Sequence, residues 1–278
     1  MPFMTVGKEN SGNIDIYYED HGSGQPVVLI HGFPLDGHSW EKQATALLAS
    51  GYRVVAYDRR GFGKSSQPAV GYDYDTFAND LHVILTTLDL SDVALVGFSM
   101  GTGEVTRYIG TFGTERISKA VLLSPIPPFL LKTDDNPEGV DESVFEGFKD
   151  AIRADRPAYF TSFLSAFYNL DDNLGTRVSD EVVRESFIVA VQASATAVFA
   201  CVDTWLTDFR DDLPKFDVPT LIVQGDEDRI LPVSATGERL SALIPDVEFH
   251  VIAGGPHAVV WTHAEEVNAA LIAFLARD

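Results

Sequence analysis

The feature that most constrains this chain is a repeated alternation. Short runs of β-branched and aliphatic residues are each followed by stretches whose apolar side chains recur at helical spacing. A run such as Val27-Val28-Leu29-Ile30 is apolar at every position, which suits a strand covered on both faces. Strands of that kind belong to a mostly parallel sheet with helices packed on either side, an α/β architecture. The spacing predicts strands over Phe3–Gly7, Asn13–Asp20, Pro26–Gly32, Arg53–Asp58, Val93–Ser99, Lys119–Ser124, Thr220–Gly225 and Val247–Ala253. In the second of these, Ile14, Ile16 and Tyr18 alternate with Asp15 and Tyr17, so the first two read as an antiparallel hairpin at a sheet edge.

Between Pro125 and Val218 the strand pattern stops. Pro125-Ile126-Pro127-Pro128 breaks the chain, and helices are expected around Ser143–Arg153, Pro157–Tyr168, Asp180–Ser194 and Thr196–Trp205. Tyr159, Phe160, Phe163 and Phe167 recur at helical spacing, a stripe that reads as core or lid packing rather than as a ligand box. The division that follows is a core of residues 1–125 and 219–278 with a helical cap of residues 126–218 inserted into it.

Composition narrows the function. The 278 residues are 45% hydrophobic and 22% charged, an ordinary globular profile. A formal net charge of −21 disfavours nucleic acid and anionic membrane surfaces as partners, and solubility is its plainest reading. A single cysteine, Cys201, allows no internal disulfide; it lies in the apolar run Val198-Phe199-Ala200-Cys201-Val202, where a buried, inert thiol is expected. Met1-Pro2-Phe3-Met4-Thr5-Val6 has neither a basic region nor a long apolar segment, so no signal peptide is read there and a cytoplasmic location is expected.

Against that background the chemistry gathers around Ser99. It sits in Gly97-Phe98-Ser99-Met100-Gly101, between an apolar strand and a helical start, the context that gives G-x-S-x-G its meaning. A serine hydroxyl is a weak nucleophile that needs a histidine base, an acid to orient the base, and donors for the developing oxyanion. Strand ends downstream supply Asp226-Glu227-Asp228 and then Gly254-Gly255-Pro256-His257. Asp228 is preferred to Asp226 because a residue two places past the strand end can turn toward the histidine, although spacing alone leaves both available. For the oxyanion, the backbone N–H of Met100 and that of Phe33, in His31-Gly32-Phe33-Pro34, are the expected donors; Pro34 has no N–H to give. Phe33, Met100, Trp205 and Ile230 are candidate pocket walls suited to short acyl groups.

The remaining histidines have plainer roles. His31 is expected to brace the oxyanion loop by hydrogen bonding. His263, in Thr262-His263-Ala264-Glu265-Glu266, looks like a capped helix start. His21, His38, His82 and His250 lack metal-ligand spacing, and no metal site is read. Asp58-Arg59-Arg60-Gly61-Phe62-Gly63-Lys64-Ser65-Ser66 lacks the spacing of a phosphate loop and reads as a turn after a strand.

With these residues in place, the chain resembles the α/β-hydrolase superfamily over essentially its whole length. More closely it resembles the cofactor-free bacterial haloperoxidases, or perhydrolases, related to small aryl esterases. The matches are Tyr57-Asp58-Arg59-Arg60-Gly61-Phe62-Gly63, Gly97-Phe98-Ser99-Met100-Gly101-Thr102-Gly103-Glu104, Phe129-Leu130-Leu131-Lys132-Thr133-Asp134-Asp135-Asn136-Pro137, Gly225-Asp226-Glu227-Asp228-Arg229, Pro256-His257, and Trp261 through Asn268. The resemblance implies an α/β-hydrolase fold with a mostly parallel eight-stranded sheet and a triad of Ser99, Asp228 and His257. It implies an acyl-enzyme made from a short carboxylic acid or ester, its perhydrolysis by hydrogen peroxide, and oxidation of halide by the peracid. No haem, vanadium or other cofactor is implied, and relatives of this kind are often homotrimers. Pro34 is expected to shape the peroxide-binding backbone. The chain departs from such relatives at Ser124-Pro125-Ile126-Pro127-Pro128 and Ala258-Val259-Val260, which bear on acyl-chain preference. A plain carboxylesterase or lactonase is the alternative, and a catalytically inactive ligand-binding relative the more distant one.

Overall fold

The computed structural model describes residues 2–277. Its elements in chain order are β1 (Phe3–Glu9), β2 (Gly12–Gly22), β3 (Pro26–Ile30), α1 (Glu41–Ala49), β4 (Arg53–Tyr57), α2 (Tyr74–Thr87), β5 (Val93–Phe98), α3 (Met100–Phe112) and β6 (Ile117–Leu123). They continue through α4 (Glu142–Tyr168), α5 (Leu170–Asn173), α6 (Asp180–Gln192), α7 (Ala195–Thr204), β7 (Thr220–Gly225), α8 (Gly237–Ser241), β8 (Val247–Ile252), α9 (Val259–Thr262) and α10 (Ala264–Leu275). All eight expected strands form, within a few residues of their expected bounds.

The strands make one sheet in the order β1-β2-β4-β3-β5-β6-β7-β8. β2 pairs antiparallel with β1 and β4, and every other pairing is parallel. Alternation along each strand sorts the apolar runs onto two faces. Val28, Ile30, Val55 and Leu95 face a cluster with Leu81 and Ile84 of α2 and Val105 and Ile109 of α3. Val27, Leu29, Val54 and Val96 face the other way, onto Leu47 of α1 and Leu271 and Phe274 of α10. Continuous burial of both sets explains why these strands show no polar alternation in sequence.

β3 lies between β4 and β5, so successive connections leave it in opposite directions. A crevice opens at the carboxyl ends of strands at such a reversal. The chain between β6 and β7 carries only helices and isolated bridges, and it covers that end of the sheet. Its third apolar cluster joins Phe145, Phe160, Val198 and Trp205 to Phe33 and Met100 of the core.

Two local expectations are modified. The helices expected at Ser143–Arg153 and Pro157–Tyr168 run together as α4, broken at Asp155, whose φ/ψ of −158°/91° is extended. Pro157 cannot donate into a preceding turn, and Asp155 Oδ1 accepts from Ala158 N at 2.9 Å, starting the second half. At α10, His263 is the N-cap, but neither it nor Thr262 caps the helix through a side chain. The Thr262 hydroxyl is engaged instead with His263 Nδ1 (2.9 Å) and Ala258 O (3.1 Å). Among the described residues no single helix is long and apolar enough to cross a membrane.

Candidate active site

Ser99 occupies the turn between β5 and α3 with φ 52° and ψ −118°, a region that side chains other than glycine's rarely adopt. The turn is closed by close backbone approach. A Cβ on Gly97 would lie 2.6 Å from Gly101 O, and one on Gly101 would lie 2.2 Å from Ile30 O. This is the steric reason for both glycines of the motif. The Ser99 carbonyl accepts from Thr102 N (2.9 Å) and Thr102 Oγ1 (2.6 Å), and Ser99 N donates to Leu123 O at 2.8 Å. The backbone is thus pinned on both sides while Oγ makes no bond to it.

The hydroxyl points at a histidine. Ser99 Oγ lies 2.8 Å from His257 Nε2, and His257 Nδ1 lies 2.7 Å from Asp228 Oδ2. Asp228 Oδ1 accepts from Ile230 N (2.9 Å) and Leu231 N (2.8 Å), so both carboxylate oxygens are occupied and the side chain is fixed. Since that carboxylate only accepts, Nδ1 carries the histidine proton and Nε2 is left as an acceptor for the serine. His257 is fully buried between the rings of Phe98 and Phe167, each centroid 5.3 Å away. The Ser124 hydroxyl holds its carbonyl at 2.9 Å, and Ala258 N donates to Phe167 O at 3.0 Å. Asp226, the rival acid, accepts instead from Gly254 N at 2.7 Å and ties the two loops together.

The Phe33 and Met100 N–H groups have no internal acceptor among the described residues. Met100 opens α3, where the helix leaves its first N–H groups unpaired and favours negative charge. His31 braces the neighbouring loop as expected. Its Nδ1 lies 2.9 Å from Gly32 O, and its Nε2 accepts from Arg59 N at 2.9 Å.

Ser99 opens onto a cavity of about 380 Å³. Phe33, Trp205 and Ile230 line it, as expected from sequence. Pro34 does not; it is buried in the turn that Leu35 N closes onto Gly32 O at 3.1 Å. The Met100 side chain is also absent from the walls, being fully buried under the cap, so only its backbone faces the chemistry. Walls not anticipated are Ile126 and Leu130 after β6, and Phe145 and Phe148 on α4. The aromatic stripe serves both purposes: Tyr159 and Phe163 line the cavity, while Phe160 and Phe167 are core. Spacing of three between Phe145 and Phe148 was the available signal for the first half of α4.

Arg229, next to the acid, reaches Asp171 and Asp172 of α5 at 2.7 Å each and joins the acid loop to the cap. Asn169 adds a 2.8 Å bond from Nδ2 to Glu227 O. Cys201 is buried, and burial pushes its thiol up to about 12, which agrees with an inert packing role. Among the described residues no group of three His, Cys, Asp or Glu side chains is placed to hold a metal ion.

Comparison with known proteins gives this geometry a lineage. The model of the alpha/beta hydrolase fold family matches residues 25–264. A protein of Synechocystis sp., assigned by name to the non-heme chloroperoxidases, is 63% identical over 99% of this chain and 100% of its own length. The bifunctional esterase/perhydrolase DCH of Acinetobacter calcoaceticus is 32% identical over 94% of this chain and 96% of its own. Among solved structures, a bromoperoxidase from Bacillus anthracis superposes with a TM-score of 0.95 at 48% identity, covering 99% of both chains. The chain belongs to the alpha/beta hydrolase fold family.

Proposed function

We propose that this chain is a metal-free perhydrolase of the non-heme haloperoxidase type, with accompanying esterase activity. The observation that carries the reading is the continuous line from Asp228 Oδ2 through His257 to Ser99 Oγ, in bonds of 2.7 and 2.8 Å. The names of the relatives support the peroxide-dependent reaction.

In this mechanism Ser99 Oγ attacks the acyl carbon of an ester or carboxylic acid while His257 Nε2 takes its proton. Asp228 keeps the imidazole oriented and stabilises its charged form. The oxyanion is met by the Phe33 and Met100 N–H groups; losing one such donor typically costs about 10²–10³ in rate. The alcohol or water departs with the proton held by His257, leaving an ester on Ser99. Hydrogen peroxide then attacks the acyl carbon and gives a proton to His257. The peracid leaves as Ser99 takes that proton back. In solution the peracid, a halide ion and a proton yield the carboxylic acid and hypohalous acid, the halide losing two electrons to the peroxy oxygen. No halide site is required.

One observation favours a second reading. A cavity of about 380 Å³ walled by Phe33, Phe145, Phe148, Phe163 and Trp205 far exceeds an acetyl group, which suits an aryl or longer-chain carboxylesterase with water as acceptor. A matched panel of acyl donors, assayed for peracid with hydrogen peroxide and for hydrolysis without it, separates the two. Peracid formation from short acids at rates comparable with ester hydrolysis is expected; hydrolysis alone selects the esterase. Ser99→Ala is expected to remove both activities, and bromination surviving in that variant excludes the acyl-enzyme route. Pro34→Leu tests the proposed influence of Pro34 on the choice between peroxide and water. An unchanged partition removes the proline from the mechanism.

A further inference from the structure

A second buried polar cluster lies behind the site and touches none of the cavity. Arg59, just after β4, is 1% exposed, and Glu104 on α3 and His31 after β3 are wholly buried. Arg59 Nε donates to Glu104 Oε2 at 2.7 Å, Arg59 Nη2 donates to His31 O at 2.8 Å, and the Tyr57 hydroxyl donates to Glu104. Arg59 Nη1 is buried without a partner among the described residues. An incompletely satisfied buried ion pair contributes little to stability compared with apolar packing of the same volume. Its value lies in what it holds.

What it holds is one peptide plane. Arg59 N–H can only donate, so His31 Nε2, 2.9 Å away, must be an acceptor. The ring proton therefore sits on Nδ1 and is donated to Gly32 O at 2.9 Å. Leu35 N donates to the same oxygen at 3.1 Å. Gly32 C=O and Phe33 N–H belong to one planar amide, and in a trans peptide they point to opposite edges. Two donors gripping the oxygen consequently aim the hydrogen the other way, toward the nucleophile. Gly32 is that close to it: a Cβ added there would lie 3.0 Å from Ser99 Cβ. Donation to the oxygen also polarises the amide and strengthens its N–H as a donor.

We propose that Glu104, Arg59 and His31 are positioning residues for the oxyanion hole, locking His31 as its Nδ1–H tautomer so that the Phe33 N–H is held on the tetrahedral intermediate. This rests on Phe33 being an oxyanion donor. Burial, reinforced by the Arg59 charge, holds the His31 ring down to about 3, which keeps it a neutral, single-proton ring across the working range. Because Glu104 lies on α3, the helix that Ser99 caps, the relay also ties the donor to the nucleophile's own element.

The test begins on the unaltered protein. With ¹⁵N-labelled histidine, two-bond ¹H–¹⁵N correlations report which ring nitrogen is protonated; Nδ1–H is expected, and Nε2–H overturns the proposal. His31→Leu is expected to lower kcat for an aryl ester by about 10²–10³ with little change in KM, the worth of one oxyanion donor. Affinity for a trifluoromethyl ketone that forms a tetrahedral adduct on Ser99 is expected to fall by the same factor. His31→Asn, whose amide nitrogen can replace Nδ1–H, is expected to recover most of both. Leucine leaving both quantities within twofold, or asparagine failing to rescue in a protein with native circular dichroism, also overturns the proposal. Fluorophosphonate labelling of Ser99 in the unaltered protein tests the nucleophile separately, so a failed triad and a failed relay give different results.

Discussion

At the scale of single residues, the site is made by backbone strain as much as by reactive groups. Ser99 at φ 52° holds a conformation costing on the order of 1–3 kcal/mol, offset in glycine by about 0.5–1 kcal/mol of extra unfolded-chain entropy. Strain outweighs entropy, so Ser99→Gly is expected to melt a few degrees above Ser99→Ala, with both inactive. Equal melting temperatures in calorimetry would show that the turn is unstrained. His31 gives the fold a pH dependence. Its folded pKa lies below the unfolded value of about 6.5, so below that pH the unfolded chain binds a proton that the folded one refuses. Stability therefore falls with acid, by up to about 1.4 kcal/mol per pH unit from this group. Burial also raises Asp58, Asp80 and Glu104, which work in the other direction. The contribution of His31, in the window between its folded value of about 3 and the unfolded value of about 6.5, is therefore read as the difference between the unaltered protein and a His31 variant. Urea unfolding of His31→Asn across that window is expected to lose the His31 slope. The triad itself was legible because order along the chain and strand-end position are sequence properties. Sequence also favoured Asp228 over Asp226 but left both available; the 2.7 Å bond from His257 Nδ1 to Asp228, with Asp226 engaged by Gly254 N, decides between them.

Among the elements, the strands were readable and the cap's inward faces were not. A both-faces-buried strand writes itself as an unbroken apolar run, as in Val93-Ala94-Leu95-Val96. A cap helix has one face on the core, one on the cavity and one in water, so its apolar residues do not say which neighbour they meet. Phe160 and Phe163 are three positions apart on α4, yet one is core and the other also cavity wall. The break at Asp155 rotates the first half of α4 independently of the second, and brings Phe145 and Phe148 to the same cavity. Phe148 is 36% exposed at the rim, so its removal perturbs selectivity more than folding. Phe148→Ala is expected to lower kcat/KM for aromatic or long-chain esters roughly 2- to 10-fold, the worth of one aromatic contact, with acetate esters little affected. Equal losses on both classes would place Phe148 outside the substrate's reach. The exposed pairs of Arg229 with Asp171 and Asp172 are screened by solvent and contribute little to holding the cap down.

For the molecule as a whole, the site is a product of strand order. Nucleophile and oxyanion loop stand on adjacent strands, β5 and β3, at the reversal of the sheet, while acid and base follow β7 and β8 beyond β6. The alternation of apolar runs announced a parallel sheet, but nothing in it announces that β4 and β5 flank β3; that follows from connection geometry. The net charge of −21 belongs to this scale too, as a property of the surface rather than of the catalytic groups, whose partners are all short-range. One hydrogen bond has a temporal consequence. Ser99 and His257 are 158 positions apart, and the loop their bond closes contains the entire cap. Contacts so distant along the chain form late, because they must offset a large closure entropy, and chains of this length commonly refold through intermediates. On dilution from urea, far-UV ellipticity is expected to return before fluorophosphonate labelling of Ser99; simultaneous recovery would mean that sheet and triad assemble in one step. On the ribosome the same spacing sets an order: Ser99 is made 158 residues before the base it bonds to, so acyl transfer has to wait until the loop after β8 has been synthesised.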